Sequence, residues 1–167
     1  MEVLRNKVAE SGIITINLED FFPNEPICSF DIKDFLFMEM LLKEKDFRAS
    51  LEHHDWEKYR DKHVAVFCST DAIVPMWAYM LIATRLSPVA KSVYEGSQEE
   101  LFKKLFIENI SSLKADGFED KRVVIKGCGE KEIPAYAYTA ISNQLLPMVK
   151  SLMYGEPCST VPVFKKK

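Results

Sequence analysis

The residues best equipped for chemistry are four cysteines, Cys28, Cys68, Cys128 and Cys158. A thiolate is a nucleophile, a redox group and a soft ligand for zinc or iron–sulfur iron. Cys28 sits inside the apolar run Ile27 to Phe30 and reads as a packing residue. The other three follow strand patterns. Cys68 comes directly after His63-Val64-Ala65-Val66-Phe67, and Cys128 comes one glycine after Arg122-Val123-Val124-Ile125-Lys126. Cys158 lies four residues beyond Lys150-Ser151-Leu152-Met153-Tyr154. In an open parallel sheet, ligands gather beyond the carboxyl ends of the strands. Cys68, Cys128 and Cys158 are therefore expected on one rim of the sheet.

Four kinds of chemistry fit three thiols on a rim. They can be small packed residues near strand ends, needing no ligand. They can ligate zinc or an iron–sulfur species, with Asp71, Glu156, a histidine or an outside group completing the set. One can be a nucleophile: Cys68 before a helix start gains thiolate stabilisation, and Asp71 nearby is a candidate general base for a small anionic substrate. A phosphatase-type loop needs an arginine, and Ser69-Thr70-Asp71-Ala72-Ile73-Val74-Pro75 has none. The fourth is a thiol redox switch. No Cys-x-x-Cys pair is present, so only the fold brings the three together.

Other motifs have structural readings. Gly127-x-Gly129 is followed by Glu130 to Glu132, not by the third glycine of a dinucleotide fingerprint. His53 and His54 are adjacent, so on a helix they point in different directions. Trp77, Tyr79, Tyr136 and Tyr138 read as helix–sheet packing. Ser69-Thr70 and Ser159-Thr160 are capping or turn pairs that also suit a bound anion.

The elements that position these residues are organised by a repeat. Asp61 to Gly96 returns, shifted by 59, as Asp120 to Gly155, with 12 identities in 36 positions and no gap. A fixed offset marks a repeated structural unit. Each copy reads as strand, loop, helix, strand. The helices run from about Ile73 to Leu86 and from about Pro134 to Leu146, and each is stopped by a proline, Pro88 or Pro147. Ser97 caps an amphipathic helix carrying Leu101, Leu105, Phe106, Ile110 and Leu113. Upstream, Ile13 to Ile16 and Ile27 to Phe30 read as short strands. Asp31 is placed to cap a largely buried helix over Ile32 to about Leu42, and a second helix runs from about Lys45 to Tyr59, either unbroken or interrupted near His53-His54-Asp55. Residues 1 to 12 are polar and read as loosely ordered. After Tyr154, a loop leads into a short extended tail. The alternation predicts one α/β domain over 1–167, a mostly parallel sheet with helices on both faces, built around the duplicated β-α-β unit.

Composition narrows the partners. The 167 residues are 47% hydrophobic and 28% charged, with net charge −3 and pI near 5.7. That balance gives no reason to expect nucleic-acid or acidic-membrane binding. The apolar run Ile73 to Ala83 is too short to span a bilayer, and Met1 to Arg5 lacks a secretory apolar stretch. The expectation is a cytoplasmic protein with reduced cysteines.

Four segments carry a family resemblance: Asp31 to Phe37, Leu42 to Arg48, Ala72 to Tyr79 and, most specifically, Met153-Tyr154-Gly155-Glu156-Pro157-Cys158-Ser159-Thr160-Val161-Pro162. Together they resemble a bacterial domain of unknown function of about this length. The resemblance implies no activity. It implies an association with iron–sulfur cluster assembly genes, and so favours a thiolate-ligand accessory with a protein partner in cluster assembly over a cysteine nucleophile.

Overall fold

A computed structural model describes residues 12–167. The expectation of a loose polar start therefore falls, apart from Gly12, outside the described residues. The chain divides into two compact units: a middle unit, Asn24–Lys103, and a terminal unit, Met1–Pro23 with Lys104–Lys167.

The middle unit is built on β2 (Ile27–Asp31), β3 (His63–Phe67) and β4 (Ser92–Glu95). β3 lies between the other two and is parallel to both. Its position follows from its sequence. Val64, Ala65 and Val66 are consecutive and buried, the pattern of a strand covered on both faces. α1 (Glu44–Glu52) and α2 (Met76–Leu86) complete this unit. α2 buries Ala78, Ile82 and Leu86, spaced four apart along one face. Pro75 stands at its N-cap, where its missing amide costs nothing.

The terminal unit contains β1 (Ile13–Asn17), β5 (Arg122–Lys126), α4 (Ala135–Leu145), β6 (Ser151–Glu156) and β7 (Ser159–Lys165). β5 pairs in parallel with β1 and β6, and β7 adds antiparallel to β6. α3 (Gln98–Ser111) carries the chain from the middle unit into the terminal one. It opens with a capping box: Ser97 Oγ accepts from the Glu100 amide at 3.1 Å while Glu100 accepts from the Ser97 amide at 2.8 Å. Among the described residues no helix is long and apolar enough to cross a membrane.

Several positions 59 residues apart make corresponding contacts. His63 pairs with Ser92, and Arg122, 59 residues on, pairs with Ser151. The Asp61 amide donates to Val89 O and the Asp120 amide to Met148 O. Lys91 N donates to Lys62 O as Lys150 N does to Lys121 O. Asp61 and Asp120 both take positive φ, 57° and 52°.

The mostly parallel α/β expectation holds, but as two sheets. Sequence alternation did not reveal that β1 and β2 begin different sheets. A signal for it exists. Ile13-Ile14-Thr15-Ile16-Asn17-Leu18-Glu19-Asp20-Phe21-Phe22 matches Ile27-Cys28-Ser29-Phe30-Asp31-Ile32-Lys33-Asp34-Phe35-Leu36 in kind at nearly every position. Both segments form a strand and then a 3-10 turn. Asn17 Oδ1 accepts from Glu19 N, and Asp31 Oδ1 from Lys33 N.

Three other expectations change. The buried helix over Ile32 to Leu42 is only a 3-10 turn, Ile32–Phe35, because Leu36 is extended and Met38 and Glu39 take positive φ. Phe37 N instead donates to Leu41 O at 2.8 Å, closing a tight loop with its apolar side chains outward. The second helix stops at Glu52. His53 caps it, and Trp56 Nε1 donates to Leu51 O across the break. The extended tail after Cys158 is a full strand, β7.

The positive φ at Asp61 makes a test of the repeat's shared turn. A left-handed backbone costs an L-residue about 1–2 kcal/mol, least for Asn, Asp and Gly. Asp61→Val is expected to lower unfolding stability by about that amount, and Asp61→Gly to leave it within a few tenths of a kcal/mol, measured by denaturant titration.

Candidate functional site

The cysteines divide between the units. Cys28 and Cys68 are half-buried and pack against the core of the middle unit. Burial pushes the Cys28 thiol up, in keeping with the packing role read from its strand. Cys68 follows β3, and Asp71 is exposed in the loop behind it. Cys128 and Cys158 are exposed in the terminal unit. Cys128 follows β5 and Cys158 lies in the turn after β6, so these two thiols stand at the same end of neighbouring parallel strands. The single rim expected for Cys68, Cys128 and Cys158 is thus two rims, one per sheet. Cys68 and Asp71 are on the first, Cys128 and Cys158 on the second. Among the described residues no group of three or more His, Cys, Asp or Glu side chains is gathered closely enough to hold a metal ion.

The Cys128 loop is shaped by its two glycines. A Cβ on Gly127 would run into the Tyr138 phenol, with Cζ 2.7 Å away. A Cβ on Gly129 would collide with the Glu19 carboxylate, which accepts from Lys131 N at 2.8 Å. The glycines therefore admit Tyr138 and Glu19. Cys128 Sγ lies 3.3 Å from the Tyr154 hydroxyl. That contact raises the Tyr154 phenol above its usual range. Burial raises that of Tyr138, whose ring packs edge-on against Tyr154 at 5.8 Å. Behind them is a cavity of about 550 Å³, lined by Ile125, Tyr138, Ser142, Leu152, Tyr154 and Val163 among others. Lys126 and Glu156 pair at 3.0 Å across the ends of β5 and β6.

A second cluster lies at the amino ends of β3 and β4. His63 is 6% exposed. Its Nδ1 lies 2.6 Å from Ser92 Oγ, and its Nε2 lies 2.6 Å from Glu25 Oε2, which also faces Lys91 through its other oxygen. Serine, imidazole and carboxylate stand in a row, but at the end of a parallel sheet opposite to the one where ligands gather. Each ring nitrogen of this buried imidazole is satisfied, which is what burial requires. The sequence reading counted His63 only as the first residue of a strand. Its link to Glu25 spans 38 positions and leaves no local signal. His54 is a packing residue. It stacks on Tyr59, meets its hydroxyl at 3.0 Å, and is held below its usual pKa by burial and by Lys58. His53 is exposed.

The third feature is apolar and wholly outside sequence expectation. The loop of Phe37, Met38, Met40 and Leu41 is exposed, with Met38 at 76%. Leu41 forms a parallel bridge with Ile73, itself 92% exposed. Met76 and Met80 follow one turn apart on α2, both exposed. Phe37 carries Lys43 Nζ 3.4 Å above its ring.

Fold and sites define an α/β protein of two units with mostly parallel sheets, one bearing two exposed thiols at the same end of its sheet, the other a Met-rich apolar surface. The chain belongs to the family of proteins of unknown function DUF2480, whose model matches residues 2–166. No curated protein and no solved structure matches it.

The Glu25 cluster gives a pH prediction. Lys91 first, then His63, hold its carboxyl below the usual range. A carboxyl depressed in the folded state adds stability above its unfolded pKa and loses it as pH falls through the folded one. Wild-type stability is expected to fall as pH drops below about 4.3, the ordinary glutamate value. In Glu25→Gln that part of the acid slope is expected to be absent, read from urea midpoints across the acid range.

Proposed function

We propose that this protein is a non-catalytic docking module that binds a protein partner through the Met-rich face of its middle unit. The carrying observation is that Phe37, Met38, Met40, Leu41, Ile73, Met76 and Met80 stay exposed on neighbouring segments joined by the Leu41–Ile73 bridge. Exposed apolar side chains gathered on neighbouring segments mark interaction surfaces more often than scattered ones do. Methionine suits the task, since its flexible thioether repacks against different partner shapes. The left-handed Met38 and Glu39 fit it too: such backbone persists where it presents side chains for use. The charges beside the patch are of both signs, Glu39 and Asp71 exposed and Lys43 over the Phe37 ring, a mixed polar rim of the kind protein interfaces carry.

A photo-crosslinking residue at Met40 or Ile73 is expected to yield one discrete protein adduct in cells, absent from a control site at Lys114. The purified adduct partner should bind wild type and lose at least tenfold in affinity against a folded Met40→Ser/Ile73→Ser variant. Equal binding by that variant, or vesicle binding with no protein adduct, would overturn the proposal.

A second reading keeps the thiols. Cys128 and Cys158 share one end of β5 and β6 and are both exposed. Two thiolates open to solvent suit a soft metal species, zinc or iron–sulfur, that brings its remaining ligands from a partner, as a cluster-assembly accessory requires. The thiolate set expected at the outset then narrows to these two, with Cys68 and Asp71 outside it. Metal analysis of protein purified without oxygen checks this. Cys128→Ser and Cys158→Ser are each expected to lower bound metal severalfold, with Cys28→Ser and Cys68→Ser near wild type; equal metal in all four variants sinks the reading.

A further inference from the structure

We propose that the outer edge of β4 is a receptor for an extended, basic-ended strand of the partner, added antiparallel as β7 is added to β6. This rests on the docking reading for the existence of a partner and adds the form the partner takes.

The molecule contains its own template. In the terminal unit, β7 covers the edge of β6, and Val163, largely exposed, lines the cavity between β6 and α4. At the end of β7, Lys166 N donates to Lys150 O at 2.9 Å, and Lys166 Nζ reaches Asp120 Oδ1 at 3.1 Å. Shifting each position back by 59 gives the corresponding place in the middle unit. β6 becomes β4, Lys150 becomes Lys91, Asp120 becomes Asp61 and Tyr138 becomes Tyr79. There a groove of about 480 Å³ runs along β4, lined by Val66, Tyr79, Met80, Ala83 and Val93 among others. Val66, Tyr79, Ala83 and Val93 are the counterparts of Ile125, Tyr138, Ser142 and Leu152 in the terminal cavity. Among the described residues β4 pairs with β3 alone, so its other edge has no strand on it.

Three observations specify the occupant. The groove has an apolar wall of Val66, Met80, Ala83 and Val93, with Lys91 and Glu95 also in its lining. A sheet edge satisfies its amides and carbonyls by pairing with an extended segment, which is how peptides augment sheets. Charge sets the ends: Asp61 makes no side-chain hydrogen bond or ion pair among the described residues, although it occupies the place where Asp120 meets Lys166. Glu95, exposed at the other end of β4, adds a second negative charge where the terminal unit has Tyr154. An apolar strand with Lys or Arg at its ends complements both. The groove is continuous with the docking face, since Met80 belongs to both.

The test uses the full chain, isotope-labelled, titrated with a synthetic peptide of residues 159–167, Ser-Thr-Val-Pro-Val-Phe-Lys-Lys-Lys. NMR shifts are expected at Ser92 to Glu95, Tyr79 and Met80, saturating with peptide. Asp61→Asn, which keeps a residue tolerant of positive φ, is expected to weaken binding at least threefold, and Asp120→Asn to leave it unchanged. Replacing the peptide lysines with glutamate is expected to abolish it. No shift at β4, shifts confined to β6 and β7, or equal binding by Asp61→Asn would overturn the proposal. The two readings fail separately. Loss of the Met40 adduct with the peptide still bound removes the docking face alone. Loss of peptide binding with the adduct intact removes the strand receptor alone.

Discussion

Both units depend on one constraint: a strand that is apolar on both faces must be flanked by strands on both sides. β3 and β5 are such strands, with Val64, Ala65, Val66 and Val123, Val124, Ile125 buried in succession. Their amides and carbonyls are away from water and must be paired. The β-α-β repeat supplies one neighbour for each, β4 and β6, through a crossover helix. The other neighbour cannot come from the repeat. It comes from β2 for the middle unit and from β1 for the terminal unit, and β1 pairs with β5 at the register of β2 with β3. That long-range pairing makes one unit an insertion in the other, with slow closure expected of so distant a contact.

Shared backbone geometry then carries different chemistry at corresponding places. Cys68 corresponds to Gly127. In the middle unit a half-buried thiol fills the space beyond β3. In the terminal unit a glycine opens that space to the Tyr138 phenol, and the thiol moves one residue on to Cys128, where it is exposed beside Tyr154. His63 corresponds to Arg122, so the buried imidazole linking Ser92 and Glu25 belongs to one copy alone. The edges differ as well. β6 is covered by β7, while among the described residues β4 carries a groove and no strand on its outer edge. A repeat under no functional demand has little reason to leave one edge covered and the other bare, since bare edges invite aggregation.

The apolar surface of the middle unit carries a cost. Seven large side chains held in water forgo burial worth roughly 1.5–3 kcal/mol each. The loop that presents four of them also includes two residues of left-handed backbone, Met38 and Glu39. Local propensity there favours a helix, as the spacing of Phe35, Met38 and Leu42 indicates. The fold overrides it after one 3-10 turn, by closing Phe37 N onto Leu41 O and bridging Leu41 to Ile73. A segment that resists its own propensity in order to expose methionines is better explained by use than by packing.

The sequence by itself determined the local elements and their repetition. Apolar succession in Val64 to Val66 and Val123 to Ile125, helical spacing in Ala78, Ile82 and Leu86, and proline and glycine punctuation act within a few residues of chain. They were legible for that reason. The different directions of His53 and His54 are local, but the helix break after Glu52 comes with Trp56 reaching back to Leu51. Tertiary structure decided the rest: that β1 and β2 begin separate sheets, that Cys68 parts from Cys128 and Cys158, that Glu25 meets His63, and that Phe37 to Leu41 face outward. Each depends on a pairing between residues far apart in the chain, whose energy comes from backbone hydrogen bonds and burial common to many registers. Residue types alone do not choose among those registers; the closing of each sheet around its central strand does.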